Sequence, residues 1–236
     1  MSRIAYVDGV YQRIDMPGIH VEDRGYQFAD GVYEVCAVHN ARPVDEEAHL
    51  DRLERSLAEL GIAAPMSRAA MKIVVNETLA RNRIRNGIVY IQVTRGVASR
   101  EHNYPAGLKP VLVVTARHTD PARRASVLRD GISVVTVPDQ RWARCDIKSI
   151  SLLPNVLARQ AAKDRGVQEA WQVDADGMVT EGAATNAWIL DSAGVLRTRP
   201  ADGGILNGIV RQTIIGLVDE LGLAFEERAF RVEEAL

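Results

Sequence analysis

Arg141-Trp-Ala-Arg144-Cys-Asp-Ile-Lys148-Ser-Ile-Ser151 sets one lysine between Ile147 and Ile150, at the end of an extended segment and just before a stretch opened by Pro154. An amine among apolar neighbours loses solvation, which lowers its pKa and makes it nucleophilic toward an aldehyde. Read alone, Lys148 has a commoner role open to it, a stem lying along apolar surface with its ammonium in water. The segments on either side decide between the two.

Downstream, a helix is expected over 154–165, with Pro154 in its first turn and Gly166 as its stop. Short strands are expected at 168–174, 178–181, 186–190 and 195–199, separated by Asp176-Gly177 and Ser192-Ala193-Gly194. Val179-Thr-Glu181-Gly182 ends one of them. A buried carboxylate there holds a pyridinium nitrogen protonated; a solvated glutamate beside a turn is the plainer reading. Gly203-Gly-Ile-Leu206-Asn-Gly208-Ile209-Val210-Arg211 then leads into a helix over 208–221, ended by Gly222. Glycines that bare backbone N–H groups at a helix N-terminus suit a phosphate. This stretch has neither the P-loop nor the dinucleotide glycine spacing, and a flexible loop capped by Asn207 remains an alternative.

Upstream, residues 3–14 read as a hairpin turning at Asp8-Gly9. A strand follows at 32–39, turned by Asn40. Leu50, Leu53, Leu57 and Leu60 repeat at helical spacing over 46–60, with Gly61 as the stop. Arg52 lies beside that leucine face, where it either reaches an anion through its planar fork or simply solvates the helix. A second helix starts at Ser67 as N-cap and runs to about Arg83. Strands at 88–95 and 110–117 complete an α+β half. The polar, Pro121-containing stretch 119–125 reads as a linker, which sets domains at 1–118 and 126–236, with another strand at 131–137.

Of 236 residues, 47% are hydrophobic and 25% charged, with a formal net charge of −2. That is ordinary globular composition, and it argues against a nucleic-acid partner bound through phosphate neutralisation. No apolar run of membrane-spanning length occurs, and the N-terminus lacks the apolar core of a signal peptide. Cys36 and Cys145 fall in no metal-ligand spacing, fit a reducing cytoplasm and read as buried small hydrophobes. Arg231-Val-Glu-Glu-Ala-Leu236 reads as the first turn of another helix, so the sequence is expected to stop short of the full protein.

Taken together and in order, these segments resemble the fold-type IV pyridoxal-phosphate enzymes, and among them the D-amino-acid aminotransferases. The matching stretches are Glu22-Asp-Arg-Gly-Tyr-Gln-Phe28, Asp30-Gly-Val-Tyr33-Glu-Val, His49-Leu-Asp-Arg52-Leu and Val93-Thr-Arg-Gly96 with Arg100 and His102. Arg144-Cys-Asp-Ile-Lys148-Ser, Thr180-Glu181-Gly and Ile205-Leu206-Asn-Gly208-Ile continue the match, from about residue 4 to the end. One departure stands out: relatives carry a serine-rich run after the glutamate, where this chain has Ala183 and Ala184 with only Thr185 bearing a hydroxyl.

The resemblance implies an α+β, fold-type IV architecture: a small sandwich-like N-terminal domain, a larger barrel-like C-terminal domain with helices, and pyridoxal 5'-phosphate in the cleft between. It implies that Lys148 forms the Schiff base and that Glu181 pairs with the pyridine nitrogen. Leu206 would lie against the ring, and Arg52 with the amides of Ile209 and Val210 would hold the phosphate. Tyr33, Arg100 and His102 match the positions that recognise a substrate carboxylate, the last two delivered across a homodimer interface. The implied activity is transamination between a D-amino acid and a 2-oxo acid. The same fold also serves branched-chain L-amino-acid aminotransferases, aminodeoxychorismate lyase and non-catalytic remnants, which are the rival readings.

Overall fold

Asp8 and Gly9, both at positive φ (40° and 105°), close a hairpin between β1 (Ile4–Val7) and β2 (Val10–Arg13), with Val7 opposite Val10. This mirror-image turn matches the right-handed twist of the strands it joins. The structure, a computed structural model, describes residues 3–16 and 18–236, with side chains for all of these except 123 and 124. The chain divides into two compact units, Met1–Ala122 with Lys148–Ser151, and Arg123–Ile147 with Leu152–Leu236. The greater share of the chain lies in the first.

In the first unit a short helix α1 (Arg24–Phe28) precedes β3 (Gly31–His39) and β4 (Arg42–Pro43), which are followed by α2 (Glu46–Glu59) and α3 (Arg68–Arg81). Next come β5 (Gly87–Thr94) and β6 (Val111–His118). The six strands form one antiparallel sheet in the order β2-β1-β6-β5-β3-β4. Along β3 the period of two buries Val32, Glu34, Cys36 and Val38 on one side and leaves Tyr33 on the other. Helix α2 packs on β3 and buries Leu50, Leu53 and Leu57, each worth about 1.5–3 kcal/mol of burial. Ser67 caps α3 as expected, its Oγ accepting from the amide of Ala70 at 3.3 Å.

Residues 121–125, read as part of a linker, open a helix, α4 (Pro121–Asp130). Asp120 accepts from the amide of Ala122 at 2.9 Å, and Pro121 occupies the first helical position, where its missing N–H costs nothing. The boundary between the two compact units, at Ala122 and Arg123, falls inside this stretch.

The second unit continues with β7 (Val134–Pro138), α5 (Leu153–Asp164), β8 (Glu169–Val173) and β9 (Val179–Gly182). It ends with β10 (Trp188–Leu190), β11 (Leu196–Thr198), α6 (Ile209–Glu220) and β12 (Phe225–Glu227), then a 3-10 turn, Val232–Ala235, where a helix was expected to open. Strands β7 and β8 are parallel across α5, and β11 and β12 are parallel across α6, as helical crossovers require. The result is two three-stranded sheets, β7-β8-β9 and β10-β11-β12. The fold is α+β as expected, but the described residues form no closed barrel. Two small cores serve these sheets. Ala158 and Ala162 of α5 meet Ala170 and Ala183, while Val179, Ala187, Ile189 and Phe230 form the other, with Trp171 edge-on to Phe230.

Candidate active site

Lys148 is tied to the edge of β3 by its backbone. Its carbonyl accepts from the amide of Tyr33 at 3.0 Å, its amide reaches Ser56 Oγ at 3.4 Å, and Ser149 bridges Val32. The amide of Ile150 donates to Gly31 O at 3.1 Å. Gly31 is needed there, since a Cβ would fall 2.6 Å from Val93 O and 3.1 Å from Ile150 Cδ1. Lys148 Nζ lies 4.4 Å from the centroid of the Tyr33 ring, and Tyr33 stacks on Tyr90 at 5.6 Å. Burial, with the neighbouring Tyr33, pushes the Tyr90 hydroxyl up to about 12. An amine is thus held over an aromatic face, supported by a second ring that stays neutral at physiological pH.

Arg52, on α2, is not a solvent-facing helix arginine. Its Nε and Nη2 donate to Glu34 Oε1 and Oε2 at 2.7 and 2.8 Å, and His49 Nδ1 donates to Glu34 Oε2 at 2.7 Å. Glu34 is fully buried. Burial pushes its carboxyl up, but the Arg52 and His49 hydrogen bonds and the charges of Arg52 and Lys148 outweigh it and hold Glu34 below the usual carboxylate range. This pair fixes the arginine fork rigidly. Neither Glu34 nor His49 was singled out from sequence, although a glutamate on the apolar side of a period-two strand is itself the signal.

Arg100 and His102 are exposed and gather around Phe28. The Arg100 guanidinium lies 5.1 Å from the Phe28 centroid, and the His102 and Phe28 rings are 5.7 Å apart. Tyr33 belongs to the Lys148 cluster, so the three carboxylate-binding candidates fall into two clusters of one chain.

In the second unit Glu181, next to last in β9, is buried at the centre of a donor set. Its Oε1 pairs with Arg141 Nη1, and its Oε2 accepts from Asn186 Nδ2 at 3.1 Å and from the amide of Leu206 at 3.2 Å. The strand and the Leu206 loop therefore meet at one carboxylate. Arg141 also donates to Asp139, Thr180 and Gly204 O. Burial works against its charge, yet the Asp139 hydrogen bond and the charges of Glu181 and Asp139 raise its pKa above the ordinary arginine value. Arg141 and Asn186 complete the cluster, and neither was assigned a role from sequence.

Helix α6 starts at Ile209 with Gly208 as N-cap and no side-chain cap. Asn207, proposed as a cap, instead accepts from Arg211 Nη1 at 3.3 Å. A Cβ on Gly208 would sit 2.2 Å from Asn186 Oδ1, so only glycine lets this turn pass against the Glu181 cluster. Ala183 fills the alanine core, and its carbonyl accepts from Asn155 Nδ2 at 2.9 Å. Of the cysteines, Cys36 is buried as expected, but Cys145 is only half-buried, its thiol donating to Trp142 O at 3.1 Å.

Within each unit, these features fit the parts of pyridoxal phosphate. A buried carboxylate braced by three donors suits a pyridine N–H, the uncapped amides of Ile209 and Val210 suit a phosphate, and a lysine secured through its backbone suits an aldehyde.

Residues 31–236 match the model of the family described as amino-transferase class IV. The D-alanine aminotransferase of Bacillus licheniformis is 42% identical over 219 residues, covering 92% of this chain and 76% of that protein. The D-alanine aminotransferase of Staphylococcus haemolyticus is 38% identical, covering 97% and 80%. Among solved structures, a hypothetical aminotransferase from Mycobacterium tuberculosis in its PLP-bound form superposes with a TM-score of 0.82 at 25% identity, covering 98% of this chain and 83% of that one. The Escherichia coli branched-chain amino acid aminotransferase shares the fold at a TM-score of 0.87, with 22% identity and coverage of 99% and 79%. The chain belongs to the class IV aminotransferase family.

Proposed function

We propose that the protein transfers the amino group of a D-amino acid such as D-alanine to a 2-oxo acid, using pyridoxal phosphate, as a cytoplasmic homodimer. When bound, the cofactor supplies the aldehyde that captures the amino group and the electron sink that stabilises the charge left on the α-carbon. Lys148 anchors the cofactor and carries the proton that leaves the α-carbon, acting as base and then as acid at Nζ. Glu181, braced by Arg141, keeps a proton on the pyridine nitrogen. Arg52 and the amides of Ile209 and Val210 hold the phosphate, and Leu206 lies against the ring. Tyr33, with Arg100 and His102 reaching over from the partner subunit, holds the substrate carboxylate.

The observation that carries this reading is the seat of Lys148, its backbone hydrogen-bonded to Tyr33 and its Nζ over the Tyr33 ring. That arrangement joins the chemical group and a carboxylate-binding candidate in one rigid frame. The D-alanine aminotransferase relatives support the choice of substrate. Single-turnover rates of the cofactor-loaded protein with D-alanine and with L-leucine test it. D-alanine is expected to react the faster, and faster reaction with L-leucine would favour a branched-chain aminotransferase instead.

A further inference from the structure

Arg24 is an arginine buried in a one-turn helix, and every nitrogen of its guanidinium is in use. Its Nε donates to Asp30 Oδ2 at 2.8 Å, its Nη1 to Glu101 O at 2.7 Å and its Nη2 to His102 O at 3.2 Å. The last two acceptors are successive carbonyls of the loop that carries Arg100 and His102. Asp30 is shared, because Arg95 Nε donates to the same oxygen at 2.7 Å, while Arg95 Nη2 and Nη1 reach Leu60 O and Gly61 O at the end of α2. The Arg95 guanidinium in turn lies 3.8 Å from the Tyr104 centroid, at the far end of the loop.

Phe28, one turn after Arg24, provides the apolar half. Its ring has the Arg24 guanidinium at 4.8 Å, the Arg100 guanidinium at 5.1 Å and the His102 ring at 5.7 Å. Arg100 and His102 thus share one aromatic platform, and the backbone beneath them hangs from one guanidinium. A planar fork reaches two neighbouring carbonyls at once, which a lysine ammonium does not. Charged hydrogen bonds of this kind are among the stronger ones in a protein.

We infer that Arg24 and Phe28 are positioning residues for substrate recognition: they fix the Ser99–Tyr104 loop so that Arg100 and His102 present their side chains at one separation and angle. The inference rests on the reading of Arg100 and His102 as carboxylate-binding groups. Neither Arg24 nor Phe28 touches substrate or cofactor in this scheme. Their effect passes entirely through the loop, so it belongs to substrate affinity and not to the chemical step.

The test uses the full chain loaded with pyridoxal phosphate, carrying Arg24→Lys, Phe28→Leu or Phe28→Tyr, with Arg100→Ala as the comparator. KM and kcat are measured for D-alanine with a 2-oxo acid, alongside amide hydrogen exchange over residues 99–104. For Arg24→Lys and Phe28→Leu, KM is expected to rise roughly tenfold or more, with kcat held within about threefold. Exchange in the loop should quicken while β3 and β5 stay protected, and the cofactor absorbance should be that of the parent. Phe28→Tyr, which keeps the aromatic face, should restore parental KM. If Arg100→Ala raises KM but Arg24→Lys and Phe28→Leu do not, or if they lower kcat alone, the inference is overturned and the carboxylate reading stands. An unchanged KM in Arg100→Ala would remove the carboxylate reading, and the inference with it. Should Arg24→Lys fail to fold, the half-buried Phe28 variants decide.

Discussion

The amide of Tyr33 donates to the carbonyl of Lys148 at 3.0 Å although the two residues are far apart in sequence. The bond stitches the lysine segment onto the edge of β3, and Ser149 and Ile150 extend the stitch to Val32 and Gly31. None of these bonds uses the lysine side chain. The anchoring of the backbone and the chemistry of the amine are therefore separable by mutation.

Lys148→Ala should accordingly abolish transamination and leave the fold intact. The variant loses the amine–ring contact, worth about 0.5–1 kcal/mol at a partly exposed site, and a positive charge that helps keep Glu34 ionised, and it keeps the backbone bonds of the segment. Thermal unfolding within a few degrees of the parent is the expected result, as is roughly the effect of such a loss on a domain of this size. Borohydride reduction of the loaded parent followed by peptide mapping should place the pyridoxyl label on Lys148. A label on Lys163 would remove the assignment.

Glu34 predicts an acid limb in stability. Its pKa in the folded protein lies below its unfolded value because Arg52 and His49 outweigh the effect of burial. The stabilisation is therefore present above the unfolded carboxylate value, about 4.3, and is lost as pH falls through the lower, folded one. Glu34→Gln should flatten this part of the profile of Tm against pH. At neutral pH it should destabilise by about 3–5 kcal/mol, since Arg52 is left buried without its counter-charge. An acid slope unchanged in the variant would mean that other carboxylates produce it.

The thiols should differ in accessibility more than in acidity. Burial and the nearby Glu34 and Glu46 push Cys36 up to about 12, and burial pushes half-buried Cys145 to about 11. Native protein at pH 8 should titrate with Ellman's reagent slowly and at Cys145 alone, with Cys36 reacting only after unfolding. Rapid modification of both thiols in native protein would contradict this packing.

Much of this was legible in the sequence where one residue carries one signal. The Asp8-Gly9 turn, the leucine repeat of α2, the Ser67 cap and the Pro154 start of α5 all declared themselves through local chemistry. What escaped was non-local or compensated. Arg24, Glu34 and Arg141 are charges buried by partners distant in sequence, and composition alone assigns such residues to the surface. The two parallel pairs, β7 with β8 and β11 with β12, depend on crossovers that periodicity does not reveal, and the barrel-like expectation came from the resemblance alone. Three-residue β12 offers too short a pattern to detect at all.

Glu181→Gln tests the electronic part of the site. Glutamine keeps an oxygen for Asn186 or the amide of Leu206 but removes the charge that faces Arg141. On the proposed reading, the pyridine nitrogen would then lose the partner that keeps it protonated. Turnover should fall by about 100-fold, the scale on which removing one aligned electrostatic partner acts, while cofactor content stays near the parental level. Near-parental turnover would show that Glu181 serves only to brace the loop at Leu206.

On the proposed reading, Arg100 decides how chirality is read. Once a carboxylate is fixed at one end of a substrate and its nitrogen is held at the other, one enantiomer alone can turn its α-hydrogen toward Lys148. Recognition of handedness therefore needs a rigid carboxylate site and leaves the side chain loosely sorted. Arg100 supplies the planar fork, and its seat on Phe28 fixes the direction of that fork. Losing it should cost about 2–4 kcal/mol of transition-state binding, felt mainly in kcat/KM for D-alanine. Arg100→Ala should therefore be crippled toward D-alanine while binding cofactor with a parental absorbance spectrum. It should also lose much of its preference for D- over L-alanine, because a substrate free to pivot can offer either face. A variant with low kcat/KM but an undiminished D/L ratio would show that the arginine contributes affinity alone and that stereochemistry is set elsewhere. Arg100→Lys separates charge from geometry: with the charge kept and the fork lost, it should regain part of the affinity and little of the enantiomer preference.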